Sequence, residues 1–252
     1  MNRQLKTILV LVFALGAGAG LIGFASSESD QKVCNEVVIT INNQLQNHFI
    51  DELDVLKLVN DNGSEAVIGA PYSRINMRVI EARVKNEPFI RDAQLFRDHK
   101  GNLVVNVEQR RPVARIIRSN GPDAYIADDG VILPVSEKFS SRVVLVSGKG
   151  MKELSEIQQV KNTEYNELFE LINYINQDEF LSAQIAQIHF EDDNEIILYP
   201  QISKQVIEFG GFDNMETKFK NLMIFYKQIL PRKGWNVYKK VNLKYKDQII
   251  CD

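Results

Sequence analysis

The sequence has few of the residues on which most enzyme sites depend. It contains two cysteines, three histidines and one tryptophan among 252 residues. His48, His99 and His189 lie far apart along the chain, and neither a glycine-rich phosphate loop nor a nucleophile motif accompanies them. The sequence therefore predicts a protein that is not an enzyme, with no catalytic residue, no cofactor and no metal site.

The cysteines and the charge balance disfavour a disulfide-stabilised protein and a nucleic-acid-binding protein. Cys34 and Cys251 do not make a disulfide framework for an exported protein of this size. With 30 basic and 33 acidic residues the net charge is −3, and no nucleic-acid partner is expected. A local excess of basic residues runs from Arg74 to Arg118, with eleven basic side chains against five acidic ones. It fits a solvated face, a face over anionic lipid, or contact with an acidic partner.

One long apolar run stands near the N-terminus. Residues 8–25 carry no charge, and as a helix they would span about 27 Å, close to the roughly 30 Å hydrocarbon core of a bilayer. Arg3 and Lys6 precede the run and acidic residues dominate after it, so the positive-inside rule predicts a cytoplasmic tail at residues 1–7. A cleaved signal peptide is the alternative, although the run exceeds the usual length of its apolar region. Either way the bulk of the chain is predicted to be exported.

The predicted membrane segment also contains a helix-pairing spacing. Gly16 and Gly20 form a GxxxG pattern, which would allow a weak homodimer, although glycine is common in membrane helices generally. Residues 26–33 are then expected to form a linker to the folded part of the chain.

The first folded segment, residues 34–112, is predicted to be a small α+β domain. Its pattern is strand, helix, helix, strand, strand, which predicts two helices packed on a three-stranded sheet. Asp51 is placed to cap the first helix. In the second helix, Ile75, Val79 and Ala82 have the spacing of a single buried face.

Residues 113–252 are predicted to form a mixed β domain, with a mainly antiparallel sheet and helices on one side. The segment Asp128 to Gly130 lies between apolar runs, which predicts a tight hairpin turn rather than a catalytic pair of carboxylates. Apolar and polar residues alternate from Gly234 to Cys251, which predicts one long strand that is buried on one side. Trp235 shares the apolar side of this alternation and is expected in the core.

Three short motifs resemble those of one protein family. Residues 87–93, Glu-Pro-Phe-Ile-Arg-Asp-Ala, resemble the turn into the second strand of a POTRA (polypeptide-transport-associated) domain, and residues 107–114, Val-Glu-Gln-Arg-Arg-Pro-Val-Ala, resemble the end of its last strand. Residues 242–245, Asn-Leu-Lys-Tyr, resemble a D-L-R-Y ending. In this order the motifs resemble the FtsQ/DivIB cell-division family, although Asn and Lys here replace Asp and Arg.

This resemblance implies a non-enzymatic scaffold in the cytoplasmic membrane, expected at the division septum with its bulk in the periplasm. In the family, the C-terminal region binds the small division protein FtsB, which is complexed with FtsL, and so helps assemble the septal cell-wall machinery. The mode is β-augmentation, in which a partner strand joins a sheet edge. The partner-binding residues implied here are Tyr245 and its neighbours Lys244, Lys246 and Gln248.

Two other functions remain open at this point. A POTRA-containing assembly factor would chaperone outer-membrane or secreted proteins, but such proteins usually carry several POTRA repeats or a β-barrel. The sequence shows one such module and no series of alternating membrane strands. A purely structural envelope anchor is the third option, and the long strand predicted at the C-terminus argues mildly against it.

Overall fold

The computed structural model of the protein describes residues 32–43, 47–191, 195–245 and 248–252. They fall into two compact units, one formed by the described residues up to Asn43 with Ile50–Gln109, the other by Asn47–Phe49 with Arg110–Asp252. The predicted membrane segment at residues 8–25, with its GxxxG spacing, lies outside the described residues. Within the described ranges, no helix has the length and apolarity needed to cross a bilayer.

The first unit has the element order that the sequence predicts. Its elements are β1 (Val37–Asn42), α1 (Glu52–Val59), α2 (Met77–Lys85), β2 (Ile90–Arg97) and β3 (Leu103–Gln109). Two 3₁₀ turns, Asp61–Gly63 and Tyr72–Arg74, lie between the helices. The sheet order is β1-β3-β2, with β1 parallel and β2 antiparallel to β3. The small α+β domain is thereby confirmed.

The start of α1 follows the sequence prediction. The Asp51 carboxylate accepts a hydrogen bond from the Asp54 N–H at 2.9 Å, and the Asp54 carboxylate accepts one from the Asp51 N–H at 3.1 Å. This reciprocal pair satisfies two of the backbone donors that a helix N-terminus leaves without partners.

The buried face of α2 differs from the prediction. Ile80 and Val84 are buried, whereas Val79 is 50% exposed. The Arg83 guanidinium donates to the Leu58 carbonyl at 3.1 Å and so helps fix which side of α2 turns inward. Both sets of residues have helical spacing, so periodicity alone could not choose between them.

The second unit is built on a nine-stranded sheet. Its strands are β4 (Pro112–Ile116), β5 (Ala124–Ala127), β6 (Ile132–Pro134), β7 (Val144–Gly148), β8 (Ile185–Phe190), β9 (Ile196–Pro200), β10 (Val206–Gly210), β11 (Lys240–Asn242) and β12 (Ile250–Cys251). The strand order is β12-β11-β10-β9-β8-β7-β4-β5-β6. Five of the eight pairings are antiparallel and three are parallel, which makes a mixed, mainly antiparallel sheet.

Helices and aromatic side chains complete the core of the second unit. The helices are α3 (Met151–Glu156), α4 (Asn166–Gln177), α5 (Glu179–Gln184), α6 (Met215–Ile224) and α7 (Leu230–Lys233). A π-helical turn, Phe225–Ile229, joins α6 to α7 just before Pro231. Proline cannot donate the usual helical bond and its ring crowds the carbonyl four residues earlier, and a widened turn relieves that conflict. Phe209 of β10 packs on Phe219 of α6 with ring centroids 5.0 Å apart, which ties the helix to the sheet.

The hairpin predicted at Asp128 to Gly130 is present between β5 and β6. The Ala127 N–H donates to the Val131 carbonyl at 2.9 Å, and Gly130 has a φ of +88°. Glycine adopts this backbone conformation without a Cβ penalty, which explains the Asp-Gly signal. The two cysteines are free thiols, with Cys34 buried and Cys251 partly exposed.

Candidate partner-binding edge of the second sheet

The C-terminal segment forms two short strands, so the prediction of one long strand is wrong. β11 runs parallel to β10, and β12 returns antiparallel to β11. After Asn242, the side-chain Oδ1 of that residue accepts a hydrogen bond from the Lys244 N–H at 2.9 Å. A side chain that bonds the backbone two residues further on forms a local turn and competes with strand pairing. The alternation of apolar and polar residues continues through this turn, which is why the sequence pattern missed it.

Glu208 of β10 organises the start of β11. One of its carboxylate oxygens lies 2.6 Å from the Lys240 Nζ, and the other accepts a hydrogen bond from Asn242 Nδ2 at 2.7 Å. The Glu208 carbonyl also accepts from the Leu243 N–H at 2.9 Å. An aspartate in place of Asn242 would set a second carboxylate against Glu208, so an amide fits this position better. The hydrogen bond from Lys240 lowers the pKa of Glu208, and burial opposes this shift.

We expect Glu208→Gln to weaken the attachment of β11, by less than about 1 kcal/mol because the Lys240 partner is half exposed. A lowered pKa stabilises the folded state above the ordinary value of 4.5, and this contribution is lost as the pH falls through the lowered pKa. The gap between wild type and variant should therefore be present at pH 7 and smaller at an acidic pH below 4.5. Urea unfolding followed by Trp235 fluorescence measures it, and a gap of equal size at both pH values would contradict the role of the charge.

Lys244 is exposed, but its side chain makes contacts within the chain. Its ammonium forms an ion pair with Glu195, and this hydrogen bond raises the pKa of Lys244. Its aliphatic stem lies over Gly210, where a Cβ would come within 3.0 Å of the Lys244 Cγ. Gly210 also has a φ of +78°, so both backbone and space favour glycine there. Lys244 thus has a fixed position at the end of β10.

Of the other predicted partner-binding residues, Tyr245 is 50% exposed and Gln248 is exposed. Lys246 lies outside the described residues. Lys244 and Tyr245 lie together at the rim of a small cleft, which Asn214 and other residues of the α6 start complete. Leu243 is buried, so the chain turns its apolar side inward and leaves the Tyr245 ring half in water. The structure therefore brings two of the four predicted residues to one place.

Trp235 does not lie in the core, and that prediction is wrong. Its side chain is 43% exposed and stacks against Tyr226 with ring centroids 6.2 Å apart. Its carbonyl accepts a hydrogen bond from Gln205 Nε2 at 2.7 Å. The prediction placed Trp235 on the buried side of a strand that begins at Gly234, but β11 begins only at Lys240.

Lys218 of α6 is a buried cation that sequence reasoning missed. Its ammonium donates to the Gly211 carbonyl at 2.9 Å and to an Asp213 carboxylate oxygen at 3.2 Å, and it lies 5.1 Å from the centroid of the Phe209 ring. These contacts hold the start of α6 against the end of β10. Because of the hydrogen bond from Lys218, the pKa of Asp213 is lowered. The sequence feature that could have indicated this burial is the position of Lys218, next to Phe219 on the apolar side of a predicted helix.

The outermost strand at this end of the sheet is β12. Lys240 and Asp252 exchange two backbone hydrogen bonds, of 3.0 and 3.1 Å. Since backbone groups alternate along a strand, the N–H of Cys251 points away from β11. An outer strand of this kind presents a row of donors and acceptors that a further strand can bond.

A serine–histidine pair on the same sheet was also missed. Ser147 and His189 are cross-strand neighbours on β7 and β8, with Ser147 Oγ 2.8 Å from His189 Nδ1. Gln187 Nε2 donates to Ser147 Oγ at 2.6 Å, so the serine oxygen contacts both side chains. An activated nucleophile also needs a group that orients the base, and within the described ranges no carboxylate hydrogen-bonds His189. Among the residues that the structure describes, no three His, Cys, Asp or Glu side chains lie close enough together to hold a metal ion.

The fold and this edge define a class of protein. A β-α-α-β-β module precedes a large mixed sheet whose outermost strand at one end is the C-terminal β12, and this architecture is that of a POTRA-like module followed by a sheet-rich C-terminal domain. A family profile described as FtsQ/DivIB, C-terminal related, matches residues 111–252, and a POTRA-like domain profile matches residues 32–108. The chain belongs to the FtsQ/DivIB family, which confirms the resemblance seen in the sequence. Comparison with curated proteins gives no match.

The two matched domains indicate a role in cell division. They do not favour the envelope assembly factor that the sequence left open, because the profile that covers the larger part of the chain is the FtsQ/DivIB one.

Proposed function

We propose that this protein is a non-enzymatic division scaffold that joins proteins of the septal cell-wall machinery through its POTRA-like domain and its C-terminal strand. Its proposed partners at the C-terminal strand are division proteins resembling FtsB and FtsL. The observation that carries the proposal is the outer position of β12 in a chain of the FtsQ/DivIB family, together with a half-exposed Tyr245 in the segment between β11 and β12.

Capture works by extension of the sheet. A partner strand laid against β12 accepts from outward N–H groups such as that of Cys251 and donates to outward carbonyls. These main-chain bonds supply affinity for any extended segment, whereas side chains at the rim select the partner and its register. Tyr245 offers a half-exposed ring three residues after the end of β11, and Lys246 and Gln248 are proposed as its polar neighbours.

Lys244 has a positioning part in this scheme. Its ion pair with Glu195 and its contact with Gly210 hold the backbone that leads to Tyr245. It takes the place where the family pattern has arginine, and an ammonium cannot form the two parallel bonds of a guanidinium. Charge recognition at this position is therefore weaker here than the family pattern implies.

The apolar residues 8–25 are proposed to anchor the chain once in the cytoplasmic membrane, with residues 1–7 in the cytoplasm and the two folded units in the periplasm. A fixed anchor raises the local concentration of the binding edge for other membrane-bound division proteins. The scaffold then needs only modest affinity for each partner.

Depletion of the protein in its own host tests the proposal. We expect cells several lengths long with septa that do not close, because the septal machinery would lack its link. Microscopy of cell length, with outer-membrane protein levels measured in parallel, gives the readout. Cells of normal length that lose outer-membrane proteins would support the assembly-factor function instead.

The edge itself is tested by complementation of the depleted cells with Cys251→Pro, using Cys251→Ala as the matched control. Proline removes the outward N–H and leaves the bonds between Lys240 and Asp252 in place. We expect the alanine variant to restore division and the proline variant to leave filaments. Equal rescue by both would show that β12 is not the docking edge.

A further inference from the structure

A groove in the first unit is lined by apolar side chains that no other described element covers. It lies between the loop of residues 65–71 and the start of α2, and Ile68 and Val79 line it with 54% and 50% of their surface exposed. Val33 pairs with Pro71 at the side of the groove and is also exposed. We name this surface, formed by Lys32, Val33, Ile68, Arg74 and Val79, the groove face.

The groove face carries a net positive charge. Lys32 and Arg74 are exposed, and neither forms an ion pair within the described part of the chain. The one carboxylate that lines the groove, Glu65, is bound by the Arg83 guanidinium at 3.2 Å, and Arg83 also pairs with Asp61 at 3.4 Å. These three groups together leave one negative charge against the two cations of the groove face. Exposed apolar side chains flanked by unpaired cations are typical of surfaces that rest at a lipid headgroup layer.

The groove face is also held close to the proposed anchor. The Cys34 N–H donates to the Ala70 carbonyl at 2.9 Å, and the Tyr72 N–H donates to the Lys32 carbonyl at 3.0 Å. The predicted membrane segment ends at Ala25, and the seven chain steps from there to Lys32 span at most about 25 Å. Whatever the orientation of the domain, this part of it cannot leave the neighbourhood of the membrane.

We propose that the groove face docks on the anionic lipid surface of the membrane that holds the anchor, with Ile68 among the lipid headgroups and Lys32 and Arg74 at the phosphates. The inference rests on the single-pass anchor of the proposed function. Docking would set the orientation of the POTRA-like domain relative to the bilayer, and hence the sides of the domain that other proteins can reach.

The test uses the full-length chain with Cys251→Ser, so that buried Cys34 is the only native thiol left. Ile68→Cys and Leu53→Cys are each labelled with a polarity-sensitive fluorophore. Leu53, on α1 of the same domain, is 66% exposed but lies outside the groove, which makes it the matched control. The proteins are reconstituted in vesicles of phosphatidylethanolamine with phosphatidylglycerol, or of phosphatidylcholine, that contain spin-labelled lipid as a quencher.

We expect at least threefold stronger quenching at position 68 than at position 53 in the anionic vesicles, and a loss of at least half of that difference in phosphatidylcholine or with Arg74→Glu. Equal quenching at both positions, in protein that floats with the vesicles, overturns the docking and leaves the anchor standing. Protein that does not float overturns the anchor and the docking together. A label at position 68 that is shielded only after division proteins are added overturns lipid docking and assigns the groove face to a protein.

Discussion

Gly148→Ala should unfold much of the second unit under conditions in which the wild-type unit is folded. A Cβ at this position would overlap the Phe190 carbonyl oxygen and lie 2.8 Å from the carbonyl carbon, and the residue has a φ of +103°. Backbone strain of this kind costs about 1–3 kcal/mol and overpacking about 1–3 kcal/mol more. Because β7 and β8 are parallel neighbours in the middle of the sheet, neither backbone can move aside alone.

The matched control is Gly150→Ala, two residues further along. Gly150 also has a positive φ, of +79°, but the nearest atom to a Cβ there is the Tyr165 hydroxyl at 4.0 Å. We expect it to cost about 1–2 kcal/mol, which is the strain alone. Chemical unfolding of both variants, followed by the single tryptophan, separates the two contributions. Equal midpoints for the two variants would mean that the Phe190 backbone yields to the added methyl group.

Tyr245→Ala should reduce capture of the proposed FtsB- and FtsL-like partners by about 30-fold, which corresponds to a binding hot spot worth about 2 kcal/mol. Tyrosine brings a large, stiff ring to an interface at low entropic cost. Because half of the side chain is already in water, its removal should leave the thermal unfolding of the free protein nearly unchanged. A pull-down with the host proteins, beside a melting curve, measures both quantities.

Phe96→Ala is the control for that experiment, because Phe96 is an exposed aromatic of similar accessibility on β2 of the first unit. We expect it to retain partner capture. Undiminished capture by correctly folded Tyr245→Ala would remove Tyr245 from the proposed site and leave the main-chain edge of β12 as the remaining explanation.

Local signals in the sequence were sufficient where a few neighbouring residues determine the structure. The Asp51 cap depends on a residue three positions away, and the Asp128 to Gly130 hairpin on the backbone freedom of one glycine. The order of elements in the first unit follows from such signals, and the second motif of the family resemblance ends close to the boundary between the units.

Features that depend on distant partners were not visible in the sequence. The turn after Asn242 depends on a hydrogen bond from the Lys244 N–H to the Asn242 side-chain oxygen. The burial of Val84 in place of Val79 depends on the residues against which α2 packs. The pair of Ser147 and His189 meets only because β7 and β8 are adjacent strands. At the candidate edge, the positions of Lys244 and Tyr245 followed from the family motif, whereas the contacts of Lys218 required three-dimensional neighbours.

The pairing of β1 with β3 has a consequence for the order in which the first unit can fold. Val37 lies opposite Leu103 and Asn42 opposite Glu108, so the first strand of the unit, β1, can pair only after the last strand, β3, is available. Parallel pairs between segments far apart in sequence form slowly, because the entropy of closing a long loop is lost before the stabilising hydrogen bonds between the strands can form. If residues 8–25 stay in the membrane, β1 is among the first segments to emerge on the far side and among the last to find its neighbour. During that interval its exposed strand is the part of the chain most open to proteases and to wrong pairing, which makes the rate of export itself a determinant of yield.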